Sequence, residues 1–190
     1  MLFNDHSKLA GTHAFLSASN YHWINYPDDK LDRAFMLAQA ARRGVRMHEF
    51  AKEAITLGVK LPDLPLTINM YVNDAIGFGM QPEQVLYYSD NCYGTADTIG
   101  FRKNKNGKYK LRIHDYKSGV VKASEKQLYV YSALFCLEYE YKPHEIEIEL
   151  RIYQNNQAFV YEADPELVGF IMGKIIVFNK RIEDLKKEML

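Results

Sequence analysis

Asp115 and Lys117 stand two residues apart in the run RIHDYKSG, residues 112–119, at the end of a segment that reads as a β-strand. Before them Tyr109, Leu111 and Ile113 alternate with Lys108, Lys110, Arg112 and His114. Residues i and i+2 of a strand share a face, so Asp115 and Lys117 continue the apolar face. A charge aimed into a core is costly unless something compensates it. A second carboxylate repeats the pattern, since Thr95, Asp97, Ile99 and Phe101 fall on one face of the preceding strand-like segment. Between the two segments lies KNKNG, residues 103–107, whose Asn106-Gly107 is a strong hairpin signal. A two-residue or a four-residue turn there places Asp97 within one residue of facing Asp115. Two carboxylates that close repel unless a proton or a cation separates them. A hard divalent ion such as Mg²⁺ resolves that conflict, and a neighbouring lysine then orients a water or neutralises charge developing on a phosphate. The competing reading is a buried ion pair of Lys117 with Asp97 or Asp115, although such pairs stabilise weakly.

His48 extends the set. On a long helical pattern Leu37, Ala41, Val45, His48 and Ile55 recur at helical spacing as an apolar stripe with one histidine in it. A lone histidine on such a stripe is usually a packed core residue. Beside a carboxylate pair, neutral imidazole becomes a further ligand for a divalent ion.

The elements that must position these groups follow from periodicity and turn chemistry. Ser17 or Ser19 caps a short helix, residues 30–57 form a long helix with Gly58 as its C-cap, and a second helix runs from Leu66 to about Phe78. Strands are expected at 83–89, 94–102 and 108–116, a helix at 124–140, strands at 145–154 and on to about Tyr161, and a final helix from Pro165. This order predicts an α+β or α/β fold with a central mixed β-sheet flanked by helices, in a single domain spanning 1–190.

Composition narrows the function classes. The 190 residues carry no net charge, and no apolar run reaches the roughly 18–20 residues of a membrane span. The first residues lack a secretion signal, so a cytoplasmic protein is expected. Two cysteines, Cys92 and Cys136, are too few for a four-cysteine metal or iron–sulfur site and read as packed thiols. From Arg102 to Lys126 basic residues dominate, a solvated strand face or a phosphate-facing patch.

The motifs GTAD (94–97), HDYKSG (114–119) and QLYVY (127–131), in that order and spacing, resemble the core of RecB-like nucleases of the PD-(D/E)XK superfamily. RRGVRMHEFAKEA (42–54) resembles the upstream histidine motif, and HAFLSASNYHWINYP (13–27) the N-terminal segment of the stand-alone phage-type branch. The resemblance spans roughly residues 13 to 140. It implies a restriction-endonuclease-like core in which His48, Asp97, Asp115 and the backbone carbonyl of Tyr116 hold Mg²⁺ or Mn²⁺. Asp97, Asp115 and Lys117 would be catalytic, with Gln127 and Tyr131 positioning the DNA backbone or the lysine. Glu83 falls where relatives sometimes carry an acidic residue. The implied activity is a metal-dependent deoxyribonuclease, foremost an exonuclease, in DNA recombination or processing. Its partner is duplex or single-stranded DNA, and oligomerisation or a recombination protein would deliver substrate. The chain departs from many relatives in lacking the C-terminal cysteine cluster, so no iron–sulfur cluster is expected. The alternative is a non-catalytic DNA-binding or protein-interaction module that retains the nuclease fold. In that case Asp97, Asp115 and Lys117 would have no physical reason to share an apolar face.

Overall fold

A computed structural model describes residues 4–189. The chain forms two compact units, one reaching as far as Val45 and a larger one beginning at Arg46. In the smaller unit Ser17 caps a short 3₁₀ segment by accepting the Asn20 N–H, and the Trp23 indole donates to the Ser17 carbonyl at 2.9 Å. Phe15 and Phe35 meet edge to face. All the chemical residues named above lie in the larger unit.

Helix α1 runs Asp28–Leu57 and ends on Gly58 at φ +67°, a left-handed cap that glycine adopts without steric cost. Helix α2 (Thr67–Phe78) follows. Strands β1 (Gln81–Ser89), β2 (Cys92–Lys103) and β3 (Tyr109–Tyr116) form an antiparallel meander. Helix α3 (Lys126–Glu138) crosses to β4 (Glu147–Gln154), which lies parallel to β3, and β5 (Gln157–Glu162) closes the other edge antiparallel to β4. Helix α4 (Pro165–Glu188) ends the described chain. The result is one five-stranded mixed sheet in the order β1-β2-β3-β4-β5, an α+β arrangement flanked by helices as expected. Among the described residues no helix is long and apolar enough to cross a membrane.

Each face of the sheet has its own core. Under α3 and α4 lie Leu86, Ala96, Leu111, Ile113 and Leu150 with their neighbours, met by Leu134 of α3. On the opposite face Ala51, Ala54 and Ile55 of α1 pack with Tyr71, Val72 and Ala75 of α2 against Tyr116 and Tyr153.

This second core corrects three expectations. The α1 stripe read from sequence holds only toward its C-terminal end: Ile55 is buried and His48 half-buried, whereas Leu37, Ala41 and Val45 are exposed, and Ala51 and Ala54 are buried beside Ile55 instead. The face of β3 expected to carry solvated charge is covered by α2, so His114 is fully buried. Lys110 and Arg112, read as a solvated or phosphate-facing strand face, pair instead with Glu149 at 2.8 and 3.1 Å. Burial alone would raise the Glu149 carboxyl, but the Lys110 hydrogen bond and the charges of Arg151, Lys110 and Arg112 outweigh it and hold the pKa down at about 2.

The turns carry the register. Asn104 donates to the Lys108 carbonyl at 2.7 Å, and Gly107 lies at φ +79°. This is a three-residue loop with a left-handed glycine, neither the two-residue nor the four-residue turn considered above. Ile99 thereby faces Ile113 and Thr98 faces His114, and one step further Asp97 comes opposite Asp115. Asn155 and Asn156, at φ +52° and +57°, form the two-residue turn between β4 and β5.

Candidate metal centre and its lysine

The site forms where the alternation of β2 breaks. Ala96 and Ile99, three residues apart, both join the core under α3, which period-two alternation forbids. Opposite this break, Glu83 of β1 sits at φ +51°, a left-handed conformation uncommon for a non-glycine residue. Its neighbours Pro82 and Gln84 pair with Thr98 and Ala96, so Glu83 stands opposite Asp97. Both strands therefore depart from regular pleating at the same row, and that departure brings their carboxylates together.

His48 from α1 completes a cluster with Glu83 and Asp97. One ligand atom from each lies within 4.8 Å of the other two, and His48 Nδ1 is 3.5 Å from Asp97 Oδ2. The Tyr116 N–H donates to the same Asp97 oxygen at 2.9 Å, fixing the carboxylate against the end of β3. The Tyr116 ring meets the His48 ring edge to face, which sets the imidazole plane. The structure thus places His48, Asp97 and Glu83, all three named from the sequence, side by side.

Asp115 does not belong to that tight trio. It is 3 % exposed, and its Oδ1 accepts a hydrogen bond from Lys117 Nζ at 2.9 Å. Its Oδ2 is buried with no hydrogen-bond partner. Burial, and then the charge of Asp97, push its pKa up to about 6, while the Lys117 hydrogen bond and charge and His48 pull the other way. A buried carboxylate oxygen without a partner, near an imidazole from α1 and carboxylates from β1 and β2, is the kind of group that a hard cation satisfies. The donor set, one imidazole nitrogen and carboxylate oxygens, fits Mg²⁺ or Mn²⁺.

Lys117 is positioned by a chain of hydrogen bonds from α3. Its Nζ donates to Gln127 Oε1 at 3.3 Å, and Gln127 Nε2 donates to the Tyr131 hydroxyl at 2.9 Å. That hydroxyl donates to the Thr95 carbonyl at 2.6 Å, two residues before Asp97. Gln127 and Tyr131 are one helical turn apart and so share a face of α3. The backbone beneath is equally determined, since the Lys117 N–H donates to the Tyr153 carbonyl at 2.9 Å.

Two contributors escaped the sequence reading of individual residues. Gly94, the first residue of GTAD, has no room for a side chain: a Cβ there would lie 2.9 Å from Tyr131 Cε1. Tyr71 of α2 packs against Tyr116, whose ring meets His48, and against Tyr153. The first was legible only as an unexplained glycine in a strand, which often marks a close approach. The second carried no signal, because a tyrosine on an amphipathic helix is ordinary core.

Cys136 is buried in the core under α3, and burial pushes its thiol up to about 11, which leaves it an inert packed residue. No protein-family model matches the chain, and neither a curated protein nor a solved structure matches it.

Proposed function

We propose that the chain is a metal-dependent nuclease that hydrolyses DNA phosphodiester bonds, with exonuclease action on DNA ends as the leading form. The observation that carries this reading is the pairing of two features at one strand end. A His48–Glu83–Asp97 cluster is suited to a divalent ion, and beside it a buried Asp115 has one oxygen on Lys117 and the other without a partner. A purely structural ion pair explains the Lys117 bond but not the orphan oxygen or the neighbouring trio.

His48, Glu83 and Asp97 would hold Mg²⁺ or Mn²⁺, and Asp115, with one carboxylate oxygen lacking a partner, would be a further ligand. When bound, such an ion polarises a phosphate and makes a water acidic enough to act as nucleophile near neutral pH. The remaining work falls to the chain's own groups. Asp97 is held by the Tyr116 N–H, so it presents a fixed oxygen rather than a rotating carboxylate. Lys117 Nζ stands within hydrogen-bonding reach of Asp115 and Gln127, where it can orient a water and oppose negative charge growing on the phosphate oxygens. Gln127 and Tyr131 keep Nζ aimed, so they act as positioning residues.

The test uses end-labelled linear duplex and single-stranded DNA beside closed circular DNA, each with Mg²⁺, Mn²⁺ or EDTA. The wild type is expected to degrade linear DNA only with metal, and Lys117→Ala, checked for folding, to lose at least a hundredfold in rate. Circular DNA left intact would mark a requirement for ends. A folded wild type that leaves every substrate whole with either metal would shift the reading to a binding module.

A further inference from the structure

Three carboxamide side chains follow one another where β4 turns into β5: Gln154, Asn155 and Asn156. Each bonds to backbone far away in the chain. Gln154, only 2 % exposed, donates from Nε2 to the carbonyls of Gly119 and Val121 and accepts the Ala123 N–H on Oε1 at 3.0 Å. Asn155 donates to the Val120 carbonyl at 3.1 Å. Asn156 accepts the Thr67 N–H at 3.0 Å and so ties the turn to the start of α2. Both donors and the acceptor of the buried Gln154 amide are thus engaged by one segment, the link from Lys117 to α3.

Little else holds that segment. Ser118 to Lys122 are exposed, and none of their side chains enters either core. The Lys122 ammonium lies 5.9 Å over the Phe159 ring, at the outer limit of a cation–π contact. Yet the segment joins two members of the site, because Lys117 and Gln127 stand at its ends. Their Nζ and Oε1 atoms meet at 3.3 Å across ten residues of chain. That bond is exposed and longer than the usual range of about 2.7–3.2 Å. Closing a loop costs chain entropy, and a long bond in water is too weak to meet that cost. The bond forms because the backbone between already runs the right course. The Lys117 N–H on the Tyr153 carbonyl fixes one end of that course, and Gln154, the next residue of β4, fixes the rest.

Resting on the nuclease reading above, we infer that Gln154 is a positioning residue for Lys117, its amide holding residues 118–123 in the one course that brings Lys117 and Gln127 together. With that hold, Nζ stays beside Asp115; without it, the segment moves into water and takes the lysine with it. Gln154 bonds to none of His48, Glu83 and Asp97, so its effect falls on turnover and leaves metal binding alone. A misplacement of about 1 Å at a reacting group is enough to cost on the order of a hundredfold in rate.

The test uses two variants. Gln154→Met keeps the length of the side chain and removes all three bonds. Asn155→Gly removes only the bond to Val120 and suits the left-handed turn, where Asn155 has φ +52°. The first readout is the rate at which acetic anhydride modifies Lys117 in the metal-free protein, relative to the exposed Lys60 of the same molecule, read by peptide mass spectrometry. Gln154→Met is expected to raise that ratio at least fivefold and Asn155→Gly about twofold, as the segment opens locally. A residue that only supports the β4–β5 hairpin would lower the melting temperature and leave the ratio unchanged. The second readout is degradation of linear DNA, where Gln154→Met should lose at least tenfold in kcat with KM within about twofold. The rise in melting temperature caused by Mn²⁺ should keep its wild-type size. The inference is overturned if Lys117 reacts as in the wild type in the folded variants, if kcat is unchanged, or if the Mn²⁺ response is lost. Should Gln154→Met fail to fold, the exposed Asn155→Gly decides alone. The two readings fail separately. Variants that match the wild type in degrading DNA keep the nuclease and remove the role of Gln154. A raised Lys117 reactivity in a protein whose wild type degrades no DNA keeps the hold on the lysine and removes the nuclease.

Discussion

Asp115 concentrates the tension of the site in a single residue. Its Oδ1 is satisfied by Lys117, its Oδ2 by nothing, and Asp97 stands nearby with the same charge. Its pKa of about 6 lies above the value near 4 of a carboxyl in the unfolded chain. The folded protein therefore keeps a proton through a range in which the unfolded chain releases it. Stability from this group is fully present below about pH 4 and falls as pH rises through about 6. The metal-free protein should accordingly be stabilised by Asp115→Asn at pH 7.5, by about 1–3 kcal/mol, and scarcely changed at pH 4. Melting curves in EDTA at the two pH values decide this. An Asn variant that melts below the wild type at pH 7.5 would mean that the Lys117 pair outweighs the desolvation of the carboxylate. Lys117 itself, about one-third exposed, can turn to water when its partner becomes neutral, so the substitution leaves no stranded charge.

At the scale of elements, α3 matters for the site as much as the strands do. Its Gln127–Tyr131 face reaches Lys117 at one end and the Thr95 carbonyl at the other, and the Tyr131 ring lies over Gly94 of β2. Gly94→Ala would put a methyl group 2.9 Å from that ring. The ring must tilt, and its hydroxyl then leaves the Thr95 carbonyl. The expected cost in stability is small, about 1 kcal/mol, because the ring edge can move. The expected loss of nuclease rate is larger, at least tenfold, because the bond chain to Lys117 is broken. Wild-type activity in a folded Gly94→Ala protein would show that Lys117 needs no support from α3. Much of this element structure was legible in the chain. Alternation gave β3, β4 and the face of Asp115, turn residues gave the hairpins, and Gly58 gave the end of α1. What was not legible was set by packing from afar. Period-two counting cannot see that β2 breaks its alternation between Ala96 and Ile99, nor that Glu83 turns left-handed opposite Asp97. It cannot see that α2 covers the charged face of β3, which turns Lys110 and Arg112 from a surface patch into partners of Glu149. The N-terminal part of the α1 stripe failed for the same reason, since three-and-four spacing offers several faces and only the sheet selects Ala51 and Ala54 beside the expected Ile55.

For the larger unit taken whole, the candidate centre is a point where distant parts of the chain are tied to one another. His48 comes from a helix, Glu83 and Asp97 from two strands that depart from regular geometry, and Asp115 from a third. An unfolded chain cannot hold these groups within a few ångströms, so a cation that binds them stabilises the folded state alone. At a hundredfold excess over its Kd the gain is about 2.7 kcal/mol. For a chain of this length that corresponds to roughly 5–10 °C in Tm. Mn²⁺ or Mg²⁺ should therefore raise the melting temperature in a saturable way, while K⁺ at matched ionic strength should not. Asp97→Asn should abolish the shift, since Asp97 touches both His48 and the Tyr116 amide. Lys117→Ala should preserve or increase it, because removing a cation from beside Asp115 leaves more negative charge for the ion. That opposition separates a metal centre from a charge network. In a network of mutually paired groups both substitutions destabilise and neither alters a response to divalent ions. A wild type whose Tm ignores both metals would remove the metal from the site, and with it the reason for Asp115 to lie buried beside Asp97.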